Sequence, residues 1–171
     1  MRAVLVIAFI LAAVCSTFAC SSAPQVRFQP VPVKDSARFT REVLDKQAVT
    51  VQDGVAVVLI LIDEYERARA FEEQLEVLIR HGAIERSDQA ELKASDRLTR
   101  GRLAYLLTGA LQMKGGLTSR IFGRSQRYAL RECIDCGIIQ KGSAGSVVSG
   151  WELVSVLANA ESYAARKEGN R

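Results

Sequence analysis

TVQDGVAVVLILI, Thr50 to Ile62, is the stretch whose reading decides the fold. From Val55 onward it is an unbroken run of apolar, mostly β-favouring residues, and periodicity alone does not separate a buried strand from a buried helix there. Its neighbours argue for helix. Thr50 with Asp53 resembles a capping box, the signal that opens a helix. Val55, Val58, Leu59, Ile62, Tyr65, Phe71, Leu75, Leu78 and Ile79 fall close to i, i+3, i+4, i+7 spacing, which puts them on one side of a helix or of two successive helices.

An internal repeat strengthens that reading. Three times the chain shows a helical end, a small apolar step, and then a Ser or Thr that starts another apolar helix. The ends are REVLDKQAV (Arg41 to Val49), EVLIRHGAI (Glu76 to Ile84) and RECIDCGII (Arg131 to Ile139), with Gln47, Gly82 and Gly137 in matching places. Glycine ends a helix well because it takes the left-handed conformation without steric cost. The restarts begin at Thr50, Thr99 and Ser149, spaced 49 and 50 residues apart. Ser149 with Glu152 fits a capping box, whereas Arg102 has no acceptor and leaves Thr99 to cap alone. The expected fold class is all-α, a small helical domain of three degenerate helix-loop-helix repeats.

These residues carry a resemblance. A helix ending in a Gly-apolar-apolar step, a loop, then Thr-Arg leading into an amphipathic helix is similar to the S-layer homology repeat, which commonly occurs in threes. In that family the second helix opens with Thr-Arg-Ala-Glu, and its arginine contacts anionic cell-wall polysaccharide. Here Thr99-Arg100-Gly101-Arg102 keeps Thr-Arg, Thr50-Val51-Gln52-Asp53 keeps the cap and the acid, and Ser149-Gly150-Trp151-Glu152 lacks the arginine. The resemblance spans residues 37 to 165 and implies glycan binding for the middle unit, with Thr99 the cap and Arg100 the contact.

Upstream, Met1-Arg2 and the apolar run Ala3 to Val14 read as an export signal over residues 1–19, too short to span a bilayer. Thr17-Phe18-Ala19-Cys20 resembles a bacterial lipobox, which implies lipidation at Cys20; each buried lipid CH₂ adds about 0.8 kcal/mol of membrane affinity. Residues 20–36 hold Pro24, Pro30 and Pro32, all the prolines of the chain, and are expected to form an extended tether. Residues 166–171 read as a polar tail. The expected location is the bacterial cell envelope, exported and membrane-anchored, on the outer membrane or a periplasmic face.

Charge is segregated along the chain. Residues 62 to 96 hold ten acidic side chains against five basic ones, whereas Arg97 to Arg131 carries eight basic side chains and no acid. Thr99 would cap a helix whose free N–H groups and dipole favour an anion, with Arg100 and Arg102 beside them. The turn at Gly115-Gly116 would bring Lys114, Arg120, Arg124 and Arg127 near the same surface. Arginine forks suit carboxylate and phosphate. The competing expectation is that Arg102 and Arg127 pair with the acidic residues of 62 to 96, for about 0–1 kcal/mol per exposed pair.

Other chemistry has thinner support. Cys133 and Cys136 form a C-x-x-C at a helix end, where the dipole raises a thiol pKa, and Cys133 aligns with the core positions Leu78 and Val43. His81, the single histidine, sits before Gly82 as a helix cap. Zinc would need more ligands than these. With one His and no nucleophile elbow no enzyme is expected, nor a cofactor or metal. Nucleic acid is not an expected partner for an exported chain. Two readings stay open: a lipid-anchored protein binding an anionic cell-wall glycan, and an adaptor that meets a protein partner or its own copy.

Overall fold

A computed structural model of the chain describes residues 33–66, 68, 70–113 and 125–169. The elements are α1 (Val33–Val43), α2 (Val51–Leu61), α3 (Phe71–Arg80), a 3-10 helix (Arg86–Glu91), α4 (Arg100–Ala110), α5 (Gln126–Asp135) and α6 (Gly150–Gly169). The protein is all-α and repeat-like: among the described residues there is no strand, only isolated antiparallel bridges joining Thr50 to Arg97 and Thr99 to Val147.

Those bridges belong to a closed ring. The Val49 N–H donates to the Val148 carbonyl at 3.0 Å, the Val148 N–H to the Leu98 carbonyl at 3.0 Å, and the Leu98 N–H to the Val49 carbonyl at 2.9 Å. Each residue directly precedes a helix cap, Thr50, Thr99 or Ser149, and all three are fully buried. A second ring lies beside it. The first N–H of each capped helix donates to a loop carbonyl of another repeat, Val51 to Asp96 at 2.8 Å, Arg100 to Ser146 at 2.9 Å and Gly150 to Lys46 at 2.8 Å. The three repeats are thus related by an approximate threefold arrangement. Packing follows it: α2 packs on α3, α4 on α5, and α6 returns to α1, while α2 also touches α4 and α6.

This placement explains why the β-favouring run is helical. With α1, α3, α4 and α6 around it, α2 has no solvent face over Asp53 to Ile60, and Val55, Val57, Val58 and Leu59 are wholly buried. Burying a Val or Leu side chain contributes roughly 1.5–3 kcal/mol, far more than the difference in intrinsic helix propensity. The start is fixed by a complete capping box, with Asp53 N–H donating to Thr50 Oγ1 at 3.3 Å and Thr50 N–H to Asp53 Oδ2 at 2.8 Å. Lys46 Nζ reaches the other carboxylate oxygen at 2.8 Å.

Four helices end in the same hydrogen-bond pattern. After α3, Gly82 N–H donates to Ile79 O and Ala83 N–H to Leu78 O; after α5, Gly137 donates to Ile134 O and Ile138 to Cys133 O. Asp63 and Glu64 after α2, and Gln112 and Met113 after α4, repeat it. The pattern requires a left-handed residue, which is Gly82 (φ 71°), Gly137 (φ 73°), Asp63 (φ 58°) and Gln112 (φ 46°).

The structure corrects several sequence expectations. Gln47 does not match the two glycines, since α1 stops at Val43 and Lys46 N–H closes a turn on the Val43 carbonyl at 3.0 Å. Helix α1 also begins at Val33, within the segment expected to be an extended tether, because beyond Pro32 no proline removes a backbone donor. At the other end α6 continues to Gly169, and Lys167 Nζ caps α4 by donating to Leu111 O at 2.7 Å and Gln112 O at 3.0 Å. Ser149 caps α6 through Glu152 N–H at 3.3 Å, but the Glu152 carboxylate does not complete the box: it turns to Arg100.

Candidate functional site

Local sequence places Arg100 at the first position of α4, where its side chain crosses to the third repeat. Its Nε lies 2.5 Å from Glu152 Oε1, and its Nη1 donates to the Lys141 carbonyl at 3.3 Å. The contact with Glu152 is ionic rather than a linear hydrogen bond, and neither atom has another partner. Both side chains are about four-fifths buried, with exposures of 21% and 17%. A guanidinium in that position needs its carboxylate, because an unpaired charge there would be costly to bury. Arg100, expected to meet an external anion, is engaged inside the molecule.

The start of α4 is likewise not an open anion site. Its first three N–H groups go to Ser146 O at 2.9 Å, Ala144 O at 2.9 Å and Thr99 Oγ1 at 3.3 Å. A helix terminus draws anions with unsatisfied N–H groups, and these are satisfied. Arg102 faces acid: its Nη1 is 3.7 Å from Asp96 Oδ2, and it borders a cavity of about 190 Å³ shared with Asp88 and Glu91. The expected intramolecular pairing therefore holds for Arg102.

Arg127 differs. It lies on the exposed face of α5, one turn from the equally exposed Arg131, and neither has an ion-pair partner among the described residues. Both border a groove of about 350 Å³ between α5 and the loop 142–145, floored by Leu130 and Ile134 and walled by Ser143 and Ala144. Among the described residues no carboxylate lines it. The loop is rigidly placed, since Lys141, Ala144 and Ser146 give their carbonyls to Arg100 or Gly101, and Ser146 N–H closes a turn on Ser143 O at 3.1 Å. Arg100 thereby positions one wall of the groove that Arg127 borders. Helix α5 starts at Ser125, whose Oγ accepts from Tyr128 N–H at 3.5 Å.

Cys20, Lys114, Arg120 and Arg124 lie outside the described residues. Cys133 and Cys136 are free thiols; Cys133 is buried, its Sγ directed at the Ala104 carbonyl at 3.9 Å, and burial pushes its thiol up to about 12. His81 occupies the C-cap of α3, 3.8 Å from Glu64. The sequence reading overlooked Arg131 as a groove residue, although Arg127 and Arg131 stand four apart on one helix, a spacing that puts them on one face. No family model, curated protein or solved structure matches the chain.

Proposed function

We propose that this is an exported, lipid-anchored protein of the bacterial cell envelope that holds an anionic cell-wall polymer, without enzymatic activity, in the groove between α5 and the loop 142–145. The observation that carries the reading is the pair Arg127 and Arg131, exposed, a turn apart and bordering a groove with no acidic lining among the described residues. Two guanidinium forks above an apolar floor suit a carboxylated or phosphorylated sugar chain, the charges taking the anion and Leu130 and Ile134 the sugar ring. Lys114, Arg120 and Arg124 extend the same basic run in sequence and are further contacts in this proposal. The resemblance to S-layer homology repeats and the three-repeat architecture support it. Cys20 supplies the lipid anchor.

Sedimentation with purified cell-wall sacculi across a salt series tests the polymer contact. Binding is expected at low salt, weakening as salt screens the arginines, and lost in Arg127→Ala/Arg131→Ala. Salt-independent binding, or binding unchanged in that variant, would overturn the reading. Cys20→Ala is expected to release the protein from membranes.

A second reading, an adaptor that meets a protein partner or its own copy, draws on Trp151, the single tryptophan, which is 69% exposed. Gel filtration with cross-linking, repeated on Trp151→Ser, separates it from the first.

A further inference from the structure

Among the described residues, the large apolar side chains left exposed are Leu44, Val147 and Trp151, and all three lie on one seam. Two segments run side by side there, residues 44–49 after α1 and residues 147–151 leading into α6. The Val49 N–H donates to the Val148 carbonyl at 3.0 Å, and the Gly150 N–H to the Lys46 carbonyl at 2.8 Å. Gly150 sits so close to the end of α1 that a Cβ on it would stand 2.9 Å from the Leu44 carbonyl oxygen. Leu44 and Ala48 on one segment, and Val147 and Trp151 on the other, therefore expose apolar surface along a hydrogen-bonded backbone. Charge on the seam is mixed. Lys46 Nζ holds Asp53 at 2.8 Å, and Asp45 is the one acid within the two segments. Arg97, bridged to Thr50 beside Val49, is exposed and has no ion-pair partner among the described residues.

We propose that this seam docks on the surface of the lipid bilayer that holds the protein, an inference that rests on the anchor at Cys20. Tryptophan suits a membrane–water interface, its ring in the apolar layer and its N–H among the headgroups. Leu44 and Val147 add apolar contact beside it, and Arg97 can take a lipid phosphate. Among the described residues no helix is long and apolar enough to cross a membrane, so the contact is one of docking rather than spanning. The length of chain before α1 points to the bilayer as partner. Val33 lies thirteen residues beyond Cys20, a path of at most about 45 Å. Helix α1, 11 residues long, leads from there over about 16 Å to Leu44. The seam is thus always within reach of the anchored bilayer, at an effective concentration on the order of millimolar, so weak affinity is enough. A second copy is a poorer fit, because three partly exposed side chains fall well short of the about 800 Å² per partner that a stable protein interface buries.

Trp151, the single tryptophan, reports on the seam directly. The test mixes the full chain, purified from membranes, with phosphatidylcholine vesicles, and reads Trp151 emission alongside sedimentation with the vesicles. A blue shift is expected, with quenching by phosphatidylcholine brominated high in its acyl chains, and both should persist in high salt because apolar side chains carry the contact. Leu44→Ser/Val147→Ser, which changes exposed positions only, should need about tenfold more lipid for the same shift. Sedimentation, lost in Cys20→Ala, reads the anchor separately. Emission unchanged on vesicles with which the chain sediments would overturn the docking and leave the anchor standing, and a chain that neither sediments nor shifts would overturn both. A shift that salt abolishes, quenching as strong in the double variant, or a shift that grows with protein concentration without vesicles, the mark of a second copy, each overturn the proposal. Should the double variant fail to fold, the emission and quenching of the wild-type chain still decide.

Discussion

Arg100 and Glu152 stand in the first turns of helices from two different repeats, and their side chains meet at 2.5 Å with little access to water. The pair joins the second repeat to the third at the side of the ring formed by Val49, Leu98 and Val148. Removing either partner strands a buried charge. Arg100→Ala is expected to cost about 3–5 kcal/mol of unfolding free energy, and Arg100→Met with Glu152→Leu together much less than the sum of the single changes. Arg127→Ala should stay within about 0.5 kcal/mol of wild type. Urea unfolding of the variants decides; equal losses at Arg100 and Arg127 would contradict the buried pair.

The left-handed helix ends make opposite predictions for opposite residues. Gly137 has open space where a Cβ would stand, so Gly137→Ala acts through the backbone alone and should destabilise by about 1–2 kcal/mol. Gln112 holds φ 46° with an exposed side chain, and Gln112→Gly should stabilise by about 0.5–1 kcal/mol. Paired thermal melts check both signs.

Close approach to another segment's backbone is the more demanding use of glycine. A Cβ on Gly150 would overlap the Val43 carbonyl, and one on Gly109 the Ala83 carbonyl. Backbone cannot move aside as a side chain can. Gly150→Ala is expected to cost about 3 kcal/mol, the upper end for overpacking, and to separate α6 from α1, seen as faster hydrogen exchange in both helices.

Cys133 predicts a pH dependence. Burial first, then Cys136 and Glu132, raise its thiol from the usual 9.0 to about 12. Between those values the unfolded chain has released the proton and the folded chain keeps it, so this group's contribution to stability falls as pH rises, by about 1.4 kcal/mol per pH unit. Below 9.0 the contribution is flat. Cys133→Ala leaves a small cavity and is less stable at neutral pH, and its deficit should shrink as pH climbs above that value. A deficit constant with pH would contradict the shift. In the wild type at neutral pH, iodoacetamide should label the half-buried Cys136 and spare Cys133, as read by mass spectrometry.

Much of the fold was legible because its signals are local. Thr50, Thr99 and Ser149 cap helices where their spacing puts them, and Gly82 and Gly137 end two others. Val43, Leu78 and Cys133, aligned as core, are all buried. What escaped notice is carried by the backbone or by pairing at long range. Bonds between main-chain groups of Val49, Leu98 and Val148 leave no side-chain pattern. Asp63 and Gln112 take a conformation that their residue types do not announce. The arginine of Thr99-Arg100 looks the same in sequence whether it faces a polymer or Glu152. Arg127 was legible as basic, but its groove depends on a loop that Arg100 and Gly101 hold from another repeat.

The ring of Val49, Leu98 and Val148 also governs how many repeats the molecule admits. In an open solenoid each unit leaves a free face for the next, so length is variable and growth is additive. Here every donor and acceptor of the three central residues is taken by another of the three, and α6 already occupies α1. A fourth unit would find no seat, and the loss of one would leave two helices facing water across the gap. The architecture counts to three and closes.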